Sequence, residues 1–178
     1  MKHNKINKKR KLSVKDIALI GIMSATLIGS KMALAFVPNI EIVSLLIIVF
    51  TLTFGYKVFY SIIIFICIET FIWGLGLWSI MYLYIWPLLA IITYVFRKQD
   101  SVWFWSIVSG IFGLGFGALC SIIFIVIGGV RTAFASWIAG IPWDIIHCIG
   151  NFVLALVLYK PLIAALRKLK RLSYSDDL

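Results

Sequence analysis

Asp144, His147 and Asn151 stand three and four residues apart in an otherwise apolar stretch, a spacing that stacks them on one face of a helix. Trp137 and Gly140 continue that face towards one end. An acid, an imidazole and an amide in one row can grip a ligand by hydrogen bonds, relay a proton, or work as an acid and base. Glu69 is the other ionisable group set deep in apolar sequence. A charge at the centre of a membrane helix costs about 2.5 to 3.5 kcal/mol on insertion scales. Such groups therefore face inward, either to hold something or to pair with one another and tie helices together. A metal site would need Asp144, His147 and Glu69 to converge around a single imidazole. No metal and no cofactor is expected.

The rings form a second group. Trp73, Trp78, Tyr82, Tyr84, Trp86, Trp137 and Trp143 all fall towards one membrane face, the outer one, where a planar ligand could stack on them. A belt of interfacial aromatics explains Trp73 and Trp78 equally well, and it is the preferred account of Trp103 and Trp105 at the inner face. Arg131, Lys31 and Glu41 lie at the outer mouth, where Arg131 could take a carboxylate or phosphate of the ligand. Solvation at the membrane surface accounts for all three equally well. Three cysteines, Cys67, Cys120 and Cys148, have no metal or redox spacing and read as buried thiols. The chain has no phosphate-binding glycine loop, no His-Glu-x-x-His helix and no Gly-x-Ser-x-Gly elbow. Energy from ATP, if used, must come from another protein.

The elements that position these residues must live in lipid, because 62% of the chain is hydrophobic and its mean hydropathy is +1.05. The pattern predicts an all-α membrane bundle of six spans: Val14 to Phe36 with Ser13 as N-cap, Glu41 to Phe54, Val58 to Ile72, Ser79 to Phe96 with Pro87 inside, Val102 to Ile127, and Ala133 to Tyr159 with Pro142 inside. Residues 1–12 read as a disordered basic tail, 13–165 as the membrane domain and 166–178 as a second basic tail along the inner interface. Ala33-Leu34-Ala35 imitates a signal-peptide cleavage site, but an uncleaved first span is expected. Of the 17 lysines and arginines, only Lys31 and Arg131 fall on the outer side, so both termini are expected in the cytoplasm. The net charge of +10 lies at membrane edges, which favours anionic lipid headgroups over nucleic acid as its partner. Gly21, Ala25 and Gly29 make a smooth row on the first helix where another backbone could approach closely.

The basic tail leading into helix 1, the row Gly21, Ala25 and Gly29, the turn Pro38-Asn39-Ile40-Glu41, and the run from Trp137 to Asp144 followed by His147 and Asn151 together resemble the S component of energy-coupling factor (ECF) transporters. Those are bacterial and archaeal plasma-membrane importers of vitamins and other trace nutrients, and the likeness covers about residues 13 to 165. It implies a non-catalytic subunit with six helices, an outer cavity gated by the first outer loop, and as partners a membrane T component and two cytoplasmic ATPases. In that family helix 1 meets the T component through a small-x-x-x-small row, usually of alanines; here glycine stands at 21 and 29. The expected ligand contacts are Trp137, Asp144, His147 and Asn151 from helix 6, Glu69, Trp78 and Tyr82 opposite, Asn39 in the closing loop, and Arg131 at the mouth. The competing reading is a small intramembrane enzyme using Asp144 and His147 as acid and base; a structural or assembly factor is a third.

Overall fold

The computed structural model describes residues 12–174, and every regular element among them is helical. The expected N-terminal tail, Leu12 excepted, lies outside the described residues, as do residues 175–178. The first helix, α1, spans Val14–Ala33. Ser13 caps it as its position suggests: its hydroxyl accepts the Asp16 N–H at 3.2 Å, while the Asp16 carboxylate accepts the Ser13 N–H at 3.1 Å. Then follow α2 (Val43–Phe54), α3 (Lys57–Trp73), α4 (Leu77–Val95), α5 (Val102–Leu114) and α6 (Phe116–Tyr174).

Short polar contacts lock these rods together. Ser24 and Ser61 exchange hydrogen bonds with backbone carbonyls across the α1–α3 crossing, Ser24 Oγ to Ser61 O at 3.4 Å and Ser61 Oγ to Ile20 O at 3.3 Å. Small hydroxylated residues allow backbones to close in where lipid offers no hydrophobic force between helices. Asp16 and Lys57 pair at the end of the bundle where both helices begin. Gly55, at φ 64°, makes the tight reversal from α2 into α3, a backbone state that glycine takes without strain.

Among the described residues, three stretches are long and apolar enough to cross a membrane: Val14–Ala33, Leu77–Val95 and Val102–Leu172. The sequence had suggested six. The shortfall has a physical source at α2, whose 12 residues rise only about 18 Å. Nearly all of its side chains are buried, so its apolar run is the core of the bundle and not a lipid-facing face.

The third stretch also departs from expectation. It counts 71 residues, about 107 Å if straight, far beyond the roughly 30 Å hydrocarbon core of a bilayer. One reversal folds it. The expected helix from Val102 to Ile127 is interrupted at Gly115, whose own backbone stays in the right-handed helical region, and the chain leaves helical geometry at Gly129, at φ 79° and ψ 175°. The two arms then lie antiparallel in a register centred on that glycine. A Cβ on Gly113 would sit 2.8 Å from the His147 carbonyl oxygen, and one on Gly110 would sit 3.2 Å from the Phe152 Cβ. The absence of side chains on one arm is what allows the other to approach.

Beyond Pro161, where the last membrane helix was expected to have given way to an interfacial segment and tail, α6 continues to Tyr174. Ile163 is buried, and Leu162, Leu166 and Leu169 face α1 and α2. Lys170 donates to the Thr53 carbonyl at 2.6 Å, satisfying an acceptor left open at the end of α2, and Arg167 pairs with Asp100 at 2.8 Å. Two other expectations change. Trp105 is fully buried, with its indole N–H on the Gln99 carbonyl at 3.2 Å, and so is no belt residue. Cys67 points outward and is not a buried thiol.

Candidate functional site

The α1–α2 connection closes over a cavity with two lobes. One, of about 240 Å³, is lined by Lys31, Glu69, Trp73, Trp78 and Tyr82 with neighbouring backbone of α1. The other, of about 230 Å³, lies beneath residues 37–41 and is walled by Tyr82, Trp86, Phe116 and His147. Lys31, Ala35 and Tyr82 border both, so the two lobes adjoin.

The aromatic wall comes from one face of α4. Trp78, Tyr82 and Trp86 recur every fourth residue, so a helix stacks them in a column. Tyr82 lies edge-on to Trp78 and to Trp86, each at 5.4 Å between centroids. Trp86 then meets Phe116 at 5.6 Å, and Phe116 meets the His147 imidazole at 4.9 Å. From α3, Phe65 stacks on Tyr82 at 6.3 Å.

Two polar pairs, the first an ion pair, sit against this wall, each joining groups far apart in sequence. Lys31, in the last turn of α1, donates to Glu69 of α3. Its ammonium also lies 5.0 Å from the centroid of Tyr82, 5.6 Å from that of Trp78 and 5.8 Å from that of Phe65. The Glu69 side chain is wholly buried while Lys31 remains about one third exposed. One carboxylate oxygen of Glu69, Oε1, is buried without a hydrogen-bond partner.

In the second pair, Glu41 Oε1 lies 3.2 Å from His147 Nε2. The same carboxylate accepts the Ser44 backbone N–H at 3.0 and 3.2 Å and the Ser44 hydroxyl at 2.5 Å. Glu41 thereby satisfies a free donor at the start of α2, where the helix dipole also favours negative charge. Asn151 adds a further tie, its Nδ2 donating to Ser44 Oγ at 3.3 Å.

The predicted row on the last helix is therefore divided. His147 and Asn151 turn to α2, and His147 reaches the cavity. Asp144 turns away from it: its Oδ1 accepts the Gly117 N–H at 2.9 Å, a donor exposed by the break at Gly115. Asp144 lines neither lobe, and its side chain shares no hydrogen bond with His147. Glu69 lies with Lys31, so the three groups considered as metal ligands do not converge.

Of the other expected contacts, Asn39 lines the second lobe from the loop, at φ 55°, a left-handed state that asparagine tolerates better than most residues. Glu69, Trp78 and Tyr82 line the first lobe. Trp137 does not reach either; it lies beside Phe134 on a shallow depression of about 200 Å³ between the two arms that flank Gly129. Arg131 is exposed and also lies outside the lobes. The spacing of helix 6 misled here because it reports which residues share a face and not which neighbour that face meets. Phe116, Phe65 and Ser44 were missed. For Lys31 and Glu41 the sequence offers a place at the ligand mouth or solvation, and the structure instead pairs each with a group in apolar sequence, Glu69 and His147.

Comparison with protein-family models, with curated protein sequences and with solved structures finds no match to this chain. The class of protein is then defined by its own geometry: a helical chain with stretches able to cross a membrane, and two adjoining ring-lined lobes, bordered by a few charged side chains, beside one loop.

Proposed function

We propose that this chain is the substrate-capturing membrane subunit of an ECF-type importer, taking up a vitamin or similar micronutrient on the outer side of a bacterial or archaeal plasma membrane. In this reading the chain spans the bilayer with both termini in the cytoplasm, and a T component with two ATPases supplies the energy. The observation that carries it is the two-lobed cavity, which gathers Lys31, Glu69, Glu41 and His147 around a column of rings beneath the α1–α2 connection. A few convergent polar groups on an aromatic wall are the usual make-up of a small-molecule site.

The face of α1 bearing Gly21, Ala25 and Gly29 supports the docking part of the reading. All three residues are exposed, and a Cβ on either glycine would meet nothing within 4 Å. That row suits close approach by a membrane partner. The intramembrane-enzyme reading needs Asp144 and His147 to act together, whereas the first is held by Gly117 and the second by Glu41.

A thermal-shift panel of the purified protein against vitamins and related metabolites tests the capture reading, since a ligand that binds only the folded state raises apparent stability. One stabilising compound whose effect is lost in Trp78→Ala and His147→Ala is the expected result. A panel in which no compound shifts the transition would sink it.

A further inference from the structure

We infer that the lobe between α1, α3 and α4 is built for an organic cation, whose positive nitrogen takes the place of the Lys31 ammonium; this rests on the capture reading above. Three observations lead there. The Lys31 ammonium lies within 5.0 to 5.8 Å of three ring centroids, those of Tyr82, Trp78 and Phe65. Rings so arranged around a carboxylate are the recognition chemistry of a cationic nitrogen, because each ring face carries the negative lobe of its quadrupole. Lys31 is thus a tethered occupant of the place.

The second observation is the charge around the space. The ionisable groups that border the two lobes are Lys31, Glu69, Glu41, His147 and the Tyr82 phenol. Two carboxylates, one ammonium and one imidazole therefore border the space, and a ligand cation would be held by the carboxylates in a site of low dielectric, where an unmatched charge is costly. An anion brought to Lys31 would instead confront Glu69 and the negative faces of the same rings.

The third is what remains unsatisfied. Glu69 is wholly buried, yet its Oε1 has no donor. Lys31 serves only the other oxygen. A ligand bearing N–H groups beside its positive charge would engage both. Trp86, whose ring borders the second lobe, also has its indole N–H buried and unpaired.

Lys31 can yield the place. It stands in the last turn of α1 with about one third of its side chain exposed, on a flexible stem, and there its ammonium is favoured by water and by the C-terminal end of the helix dipole. Because a tethered group competes at high effective concentration, removing its charge strengthens binding of a free cation.

The test uses the full-length protein in lipid nanodiscs, with Trp fluorescence as the readout and benzyltrimethylammonium and benzoate as probes of opposite charge. The wild type is expected to bind the cation and not benzoate. Lys31→Met should bind the cation about tenfold more tightly and Glu69→Gln about tenfold more weakly. Lys31→Arg, which keeps the pair with Glu69 and fills the ring box more fully, should also weaken the cation and guards against misfolding of the methionine variant. Binding of benzoate that is lost in Lys31→Met would overturn the inference while leaving nutrient capture standing with an anionic ligand. Cation affinity unchanged in Glu69→Gln and Lys31→Arg would overturn it as well. Failure of the vitamin panel is a separate result that removes capture itself.

Discussion

His147 Nε2 stands 3.2 Å from Glu41 Oε1, a contact between residues 106 apart that ties α6 to the start of α2 and closes one side of the cavity. The same carboxylate caps α2 through Ser44. Glu41→Ala therefore removes a cap and a tertiary tie together. It is expected to lower stability by about 1 to 2 kcal/mol, measured by thermal unfolding in detergent, while Glu41→Gln retains part of the cap and loses less. Equal loss in both variants would mean the carboxylate charge matters more than its cap geometry.

The Lys31–Glu69 pair should be asymmetric. Lys31→Ala leaves a fully buried carboxylate without its cation, a change of about 3 to 5 kcal/mol. Glu69→Ala leaves a lysine that can turn to water, and its cost should be smaller. The double variant should lie closer to Glu69→Ala than to the sum of the two. Denaturant unfolding of the three proteins decides it, and the reverse order would show that Glu69 has another partner.

Gly117 and Asp144 form a lock at the break in the long hairpin. A Cβ at residue 117 would lie 2.7 Å from Asp144 Oδ1 and 2.8 Å from its Cγ. Gly117→Ala should therefore cost about 1 to 3 kcal/mol in the wild type and clearly less when Asp144 is already alanine. Additive losses in unfolding measurements would contradict the direct collision.

Gly129 carries the reversal at φ 79° and ψ 175°, a region essentially closed to residues with a Cβ. Its surroundings are open, with nothing within 4 Å of an added Cβ. Any loss in Gly129→Ala is thus backbone strain, expected at about 1 to 3 kcal/mol. A variant as stable as the wild type would show that the bend relaxes into another geometry.

Ligand affinity should separate two tryptophans that composition cannot. Trp78 borders the cavity and Trp137 does not. Trp78→Ala should weaken binding of any compound found by the thermal-shift panel by about tenfold or more, whereas Trp137→Ala should leave it unchanged. The opposite pattern would move the site to the depression between the two arms that flank Gly129.

Composition alone determined that this chain is helical and apolar enough for lipid, because hydrocarbon accepts only backbones that satisfy themselves within a helix or closed barrel. Local chemistry was equally plain at Ser13, whose type and position ahead of Asp16 announce a capped helix. Sequence also exposed the need for partners at Glu69, His147 and Asn151. Who the partners are was decided only in three dimensions. Periodicity places residues on a face of their own helix, but the rotation of that helix against its neighbours is set by packing. That rotation split Asp144 from His147, left Trp137 outside, and brought Lys31 to Glu69 and Glu41 to His147 across 38 and 106 residues. The reversal at Gly129 did the rest, since it turns a 71-residue apolar run into antiparallel arms whose bare glycines admit the opposing helix.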